Sequence, residues 1–182
     1  MPDKEKIKKA AELILEAVNE DKKREGLKDT PSRIADMYEE LFEKADDVKV
    51  LFEKTFSVTN NDMIIEKDII FYSMCEHHIM PFFGKVAIGY IPDGRVLGLS
   101  KLARIVEHFS KRLQLQERLC AQIADAIFEN LKPKGVIVYA EAEHLCMTMR
   151  GVKKPGSKTI TVYSLGDFER ENLKTNFLSL IK

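Results

Sequence analysis

Apolar residues recur at helical spacing in two stretches near the N-terminus. Residues 4–19 set Ile7, Ala11, Ile14 and Val18 on one face with charges between them, the pattern of an amphipathic helix. A charged stretch from Glu20 to Lys28 follows. Thr30-Pro31 then reads as a helix start, a side-chain cap followed by proline at the first helical position, with Ile34, Met37, Leu41 and Ala45 as the apolar face. From about Phe52 the period changes. Met63 to Met74, rich in Ile, Phe and Tyr, predicts a long strand with a bend near Glu66-Lys67-Asp68. Lys85 to Ile91 predicts a second strand, Pro92-Asp93-Gly94 a turn, and Arg95 to Gly98 a short strand.

Ser100 then reads as the cap of a helix with the stripe Leu102, Ile105, Val106 and Phe109. A further helix turns Leu119, Ile123, Ile127 and Leu131 inward and stops at Pro133 and Gly135. Val136 to Met149 and Lys158 to Leu165 predict two more strands, and 169–181 a closing helix. Helices, two strands, two helices, two strands is the order of an α+β fold with a mostly antiparallel sheet. The division predicted is an N-terminal helical extension, 1–50, and one further structural unit, 51–182.

Composition narrows the function. Twenty-nine Lys plus Arg balance 29 Asp plus Glu, so no global charge draws the chain to nucleic acid or to an acidic membrane, and any anion must be held by a local cluster. There is no apolar signal region at the N-terminus and no apolar run of transmembrane length. Three cysteines without a disulfide-framework spacing suit a reducing, intracellular setting in which thiols bind metal.

Two of those cysteines carry the chemistry. Cys75-Glu76-His77-His78 sits at the end of the first long strand, and His144-Leu145-Cys146 lies in the third. Cys75, His78 and Cys146 make two thiolates and one imidazole, a donor set for zinc that leaves a position for water. On an extended strand His144 and Cys146 point to the same face. Read singly, either cysteine also serves as a small buried hydrophobe, and Cys120, beside the helix stripe at Leu119, is read that way. Lys101 and Arg104 share a face at a helix N-terminus and suit a phosphate, though the same pair also makes a solvated face. His108 continues that face and is expected to be exposed. Arg150 follows Cys146 by four residues and is placed to face the same pocket. Gln116-Glu117, an amide beside a carboxylate, can address a purine edge, although Glu is favourable in any first helical turn.

These residues, taken with their neighbours, resemble the GTP cyclohydrolase I family. The matching segments are Tyr72-Ser73-Met74-Cys75-Glu76-His77-His78, Gly98-Leu99-Ser100-Lys101, Gln114-Leu115-Gln116-Glu117-Arg118-Leu119, His144-Leu145-Cys146 and Arg150-Gly151, with Thr30-Pro31-Ser32-Arg33-Ile34-Ala35 upstream. The resemblance implies conversion of GTP and water to 7,8-dihydroneopterin triphosphate and formate in the cytoplasm. It implies the tunnelling fold: a four-stranded antiparallel sheet with two helices on one side, sheets joining into a barrel in a decamer of two stacked pentamers. It implies zinc on Cys75, His78 and Cys146, and proton transfer by His77 and His144. Ser100 would assist the sugar rearrangement. Glu117 would anchor guanine with Gln116 close to the ring, and Lys101, Arg104, Arg150 and Arg33 would hold the triphosphate. Asp36 departs from the pattern, since some relatives carry a basic residue there.

Two other readings compete. A tunnelling-fold nitrile reductase would need a nucleophilic cysteine and a nicotinamide cofactor, and would not account for the metal set. A non-catalytic oligomer using metal for assembly would have no need of His77, His144 and Ser100.

Overall fold

The computed structural model describes residues 2–43 and 47–182, which fall into two compact units divided between them. In the first unit, helix α1 (Lys4–Ala17) starts at Asp3, whose carboxylate accepts from the Lys6 amide at 3.1 Å. Helix α2 (Thr30–Leu41) packs against it and buries Ala35 opposite Ala11 and Leu15. Lys4 joins the two helices through Asp36 at 2.6 Å and Glu39 at 3.1 Å. The expected stripes are only partly internal. Leu15 takes the buried place, while Ile14, Val18 and Met37 stay exposed. Thr30 is already helical rather than the cap, and Ala45 lies outside the described residues.

The second unit is built on a mixed sheet. After a 3-10 helix, Val48–Phe52, come strands β1 (Thr55–Ser57), β2 (Ile64–Cys75), β3 (Met80–Ile91) and β4 (Arg95–Leu97). Helix α3 (Leu99–Ser110), strand β5 (Leu113–Gln114), helix α4 (Gln116–Leu131), strand β6 (Gly135–His144), the single helical turn α5 (Leu145–Thr148), strand β7 (Thr159–Gly166) and helix α6 (Glu171–Leu180) follow. The main sheet runs β5-β2-β3-β6-β7. Its four long strands are antiparallel, and β5 adds a short parallel pairing, Met74 with Leu113 and Cys75 with Gln114. The sheet is thus mostly antiparallel, as expected, but has five strands where the resemblance implied four antiparallel ones. A separate ribbon pairs β1 with β4.

Period-two alternation sorts the side chains. Val136, Val138, Ala140 and Ala142 of β6 face α3 and α4, joining Phe71, Phe82, Val86, Ile88 and Tyr90 with both predicted helix stripes in one core. Ile137, Ala87 and Ile91 point the other way, under Phe168 and Phe177. The bend expected near Glu66-Lys67-Asp68 is a β-bulge: register shifts between Glu66 and Ile69, and Asp68 has φ +61°, a region Asp tolerates better than most residues.

Three boundaries differ from the sequence reading. β3 begins at Met80, not Lys85. Gly84 interrupts the apolar pattern because β6 runs against it; a Cβ there would lie 1.9 Å from the Glu141 carbonyl oxygen. The cap of α3 is Gly98, with no side-chain cap bond, so Ser100 lies inside the first turn. Finally, β6 ends at His144, and Cys146 belongs to the helical turn that follows. Among the described residues no helix is long and apolar enough to cross a membrane.

Candidate active site and metal centre

The β2–β3 connection is a four-residue turn, Glu76–Ile79, closed by the Ile79 amide donating to the Cys75 carbonyl at 2.9 Å. Cys75 is therefore the last residue of a core strand and is buried, while His77 and His78 emerge into solvent. Three contacts pin the turn. The Glu76 amide donates to the Gln114 carbonyl at 3.1 Å. Arg118, on the first turn of α4, grips the Glu76 carboxylate with two bonds of 2.7 and 3.0 Å, which holds that carboxyl below its usual range. Upstream, the Ser73 hydroxyl donates to the Ser110 carbonyl at 2.6 Å.

Cys146 approaches from the other side, on α5. Its sulfur, that of Cys75 and a ring nitrogen of His78 lie within 4.8 Å of one another. Tetrahedral zinc with Zn–S bonds of about 2.3 Å holds its ligands roughly 3.7 Å apart, so this donor set suits the ion in chemistry and lies close enough to hold one. Burial pushes the Cys146 thiol up and the adjacent Cys75 pushes it further, with Arg150 opposing weakly. A cation between the two sulfurs would reverse that balance. Cys120 is fully buried elsewhere, its thiol pushed up to about 12 by desolvation, as expected of a core residue.

His144 ends β6 directly across from Phe82, and the two rings stack at 4.6 Å and 5°. Its Nε2 lies 2.8 Å from Gln116 Oε1. Burial lowers its affinity for a proton, against a smaller opposing pull from Glu117. Around these groups lies a cavity of about 470 Å³, bordered by the metal donors, His77, Glu117 and Arg150 among others. A larger hollow of about 600 Å³ on the opposite sheet face, beside Lys85 and Glu141, contains none of the predicted residues.

Not every predicted residue arrives in that cavity. Cys75, His77, His78, Gln116, Glu117, His144, Cys146 and Arg150 do. Ser100, Lys101 and Arg104 remain on α3, outside its lining. Arg33 belongs to the N-terminal unit, where it donates to the Gly26 carbonyl at 2.8 Å and the Thr30 hydroxyl at 2.9 Å. His108 is half-buried, not exposed, and its Nδ1 is a buried nitrogen without a partner. Arg118 and Gln114 escaped the sequence reading as site residues. Both stand in the segment Gln114–Leu119, but their contacts are long-range and leave no periodic signal. Gln114 is fully buried and donates to the Phe109 carbonyl at 3.0 Å and to Gln122 at 2.9 Å.

Comparison with known proteins decides the family. The model of the family described as GTP cyclohydrolase I matches residues 7–182. The chain belongs to the GTP cyclohydrolase I family. It is 59% identical to a GTP cyclohydrolase 1 of Clostridium perfringens, covering 100% of this chain and 99% of that one. Against a GTP cyclohydrolase 1 of Carboxydothermus hydrogenoformans it is 61% identical, covering 92% and 88%. The fold alone is shared with an archaeosine synthase QueF-Like crystal structure, at TM-score 0.50 and 19% identity, over 59% of this chain and 97% of that one. The donor set Cys75, His78 and Cys146 thus lies in a chain of the GTP cyclohydrolase I family.

Proposed function

We propose that this chain converts GTP and water to 7,8-dihydroneopterin triphosphate and formate, at a zinc site held by Cys75, His78 and Cys146. The observation that carries this is the convergence of two sulfurs and an imidazole with His77, His144 and Glu117 around one cavity. An assembly-only metal would need none of the last three. Zinc held there supplies Lewis-acid charge and a water acidic enough to be deprotonated near neutral pH. The protein's own groups do the rest. Glu117, exposed on the first turn of α4, accepts the ring N–H and amino hydrogens of guanine. His77 and His144 flank the donor set and move protons as the imidazole ring opens and formate leaves. Ser100 assists the sugar rearrangement, and Lys101, Arg104, Arg150 and Arg33 hold the triphosphate.

A tunnelling-fold oligomer, a decamer of two stacked pentamers, completes this reading. Ser100, Lys101 and Arg104 lie outside the cavity of their own chain, so a neighbouring copy is the natural source of phosphate contacts. Strand β7 is an open sheet edge, and β2 is open along most of its length beyond β5. Ile70 and Tyr72 on β2, and Ile160 and Val162 on β7, are exposed apolar groups on those strands. Edge-to-edge pairing would extend the sheet into a barrel and cover them.

The test is formate release from GTP by the purified protein, before and after chelation. Formate that disappears with chelator and returns with zinc supports both reaction and metal. No formate from zinc-loaded protein refutes the assignment.

A further inference from the structure

Gln116 is 1% exposed, and its amide is fully engaged inside the chain. Its Nε2 donates to the Ala140 carbonyl at 3.1 Å and to the Thr159 carbonyl at 3.0 Å. Carbonyl oxygens only accept, so the amide nitrogen must face them and Oε1 must face His144. An amide oxygen also only accepts, so the His144 nitrogen 2.8 Å away must carry the hydrogen. A flipped ring would put a carbon at that place, well inside the roughly 3.3–3.6 Å of a C–H···O contact. Stacking on Phe82 at 5° holds the ring plane against rotation.

We infer that Gln116 is a positioning residue that locks His144 in its Nε2–H tautomer, so that every proton His144 takes or gives passes through Nδ1. Two backbone carbonyls thereby dictate a tautomer through one relay: β6 and β7 orient the amide, and the amide orients the imidazole. The same bonds leave the Gln116 side chain without a free donor, so guanine is read by Glu117 and not by that amide. The use made of Nδ1 rests on the cyclohydrolase reading above; the tautomer does not.

Neutron diffraction from deuterium-exchanged crystals of the zinc-loaded protein at mildly alkaline pD tests it without a mutation. Deuterium on His144 Nε2, two deuterons on Gln116 Nε2 directed at Ala140 and Thr159, and a bare Nδ1 are expected. Deuterium on Nδ1 with Nε2 bare overturns the proposal. A kinetic arm separates orientation from recognition. Gln116→Met, if folded and metal-loaded, should lose roughly 10²-fold in kcat while KM for GTP holds. A retained kcat, whatever happens to KM, overturns the positioning role. Should the variant fail to fold, the neutron map alone decides. Wild-type protein that released no formate would refute the reaction and leave the deuterium positions to decide the tautomer.

Discussion

Replacing Phe82 should separate stability from chemistry at this site. The ring is fully buried, packs edge-on against Phe71 at 5.7 Å and lies flat under His144 at 4.6 Å. Phe82→Ala leaves a cavity in the main core and should cost about 3–5 kcal/mol. Phe82→Leu keeps most of the apolar volume and should cost about 1–2 kcal/mol. Both remove the flat surface beneath the imidazole. An aromatic stack of this kind contributes about 1 kcal/mol, equivalent to roughly a fivefold bias towards the aligned ring. Phe82→Leu should therefore fold, keep its metal, and lose about fivefold in kcat, with KM for GTP unchanged. The assays are urea unfolding at fixed protein concentration, metal content by mass spectrometry, and formate release at saturating GTP. Wild-type kcat in Phe82→Leu would refute the claim that Phe82 orients His144 and leave it a core residue only.

Other expectations follow from the same geometry. Cys146→Ala should copurify with almost no zinc and release no formate, because two donors hold the ion weakly; unchanged zinc content would dismiss Cys146 as a ligand. Gly84→Ala drives a methyl group into the Glu141 carbonyl and should destabilise by more than about 3 kcal/mol, read as a fall in the unfolding midpoint; a variant as stable as wild type would contradict the β3–β6 register. His108 is held below its ordinary value by desolvation and Arg112, with Asp47 opposing, so the unfolded chain binds its proton first as pH falls. Stability from this group is complete above about pH 6.5 and declines below it until the folded value is passed. His108→Gln should flatten the acid-side slope of the urea midpoint, and an unaltered slope would show that the buried nitrogen is solvated.

The amphipathic periods of the chain determined its α+β order, the stripes of α3 and α4, and the bend in β2, because burial of one face imposes a period that local sequence must obey. That Cys75, His78 and Cys146 could converge on one metal was legible too, since few residue types can ligate zinc and these cluster in two short motifs. What failed was local geometry too short to carry a period. The turn Leu145–Thr148 replaces an expected strand, so Cys146 meets Cys75 from a helix and not as a same-face neighbour of His144. The second strand was read from Lys85 and begins at Met80, because Gly84 lies inside it with β6 packed close against its backbone. Only the tertiary structure joined Gln116 to His144 and Arg118 to Glu76, contacts 28 and 42 residues apart. Such pairs depend on how strands register and where a helix begins. A hydrogen bond is satisfied by position in space, and sequence separation says nothing about which partner will be there.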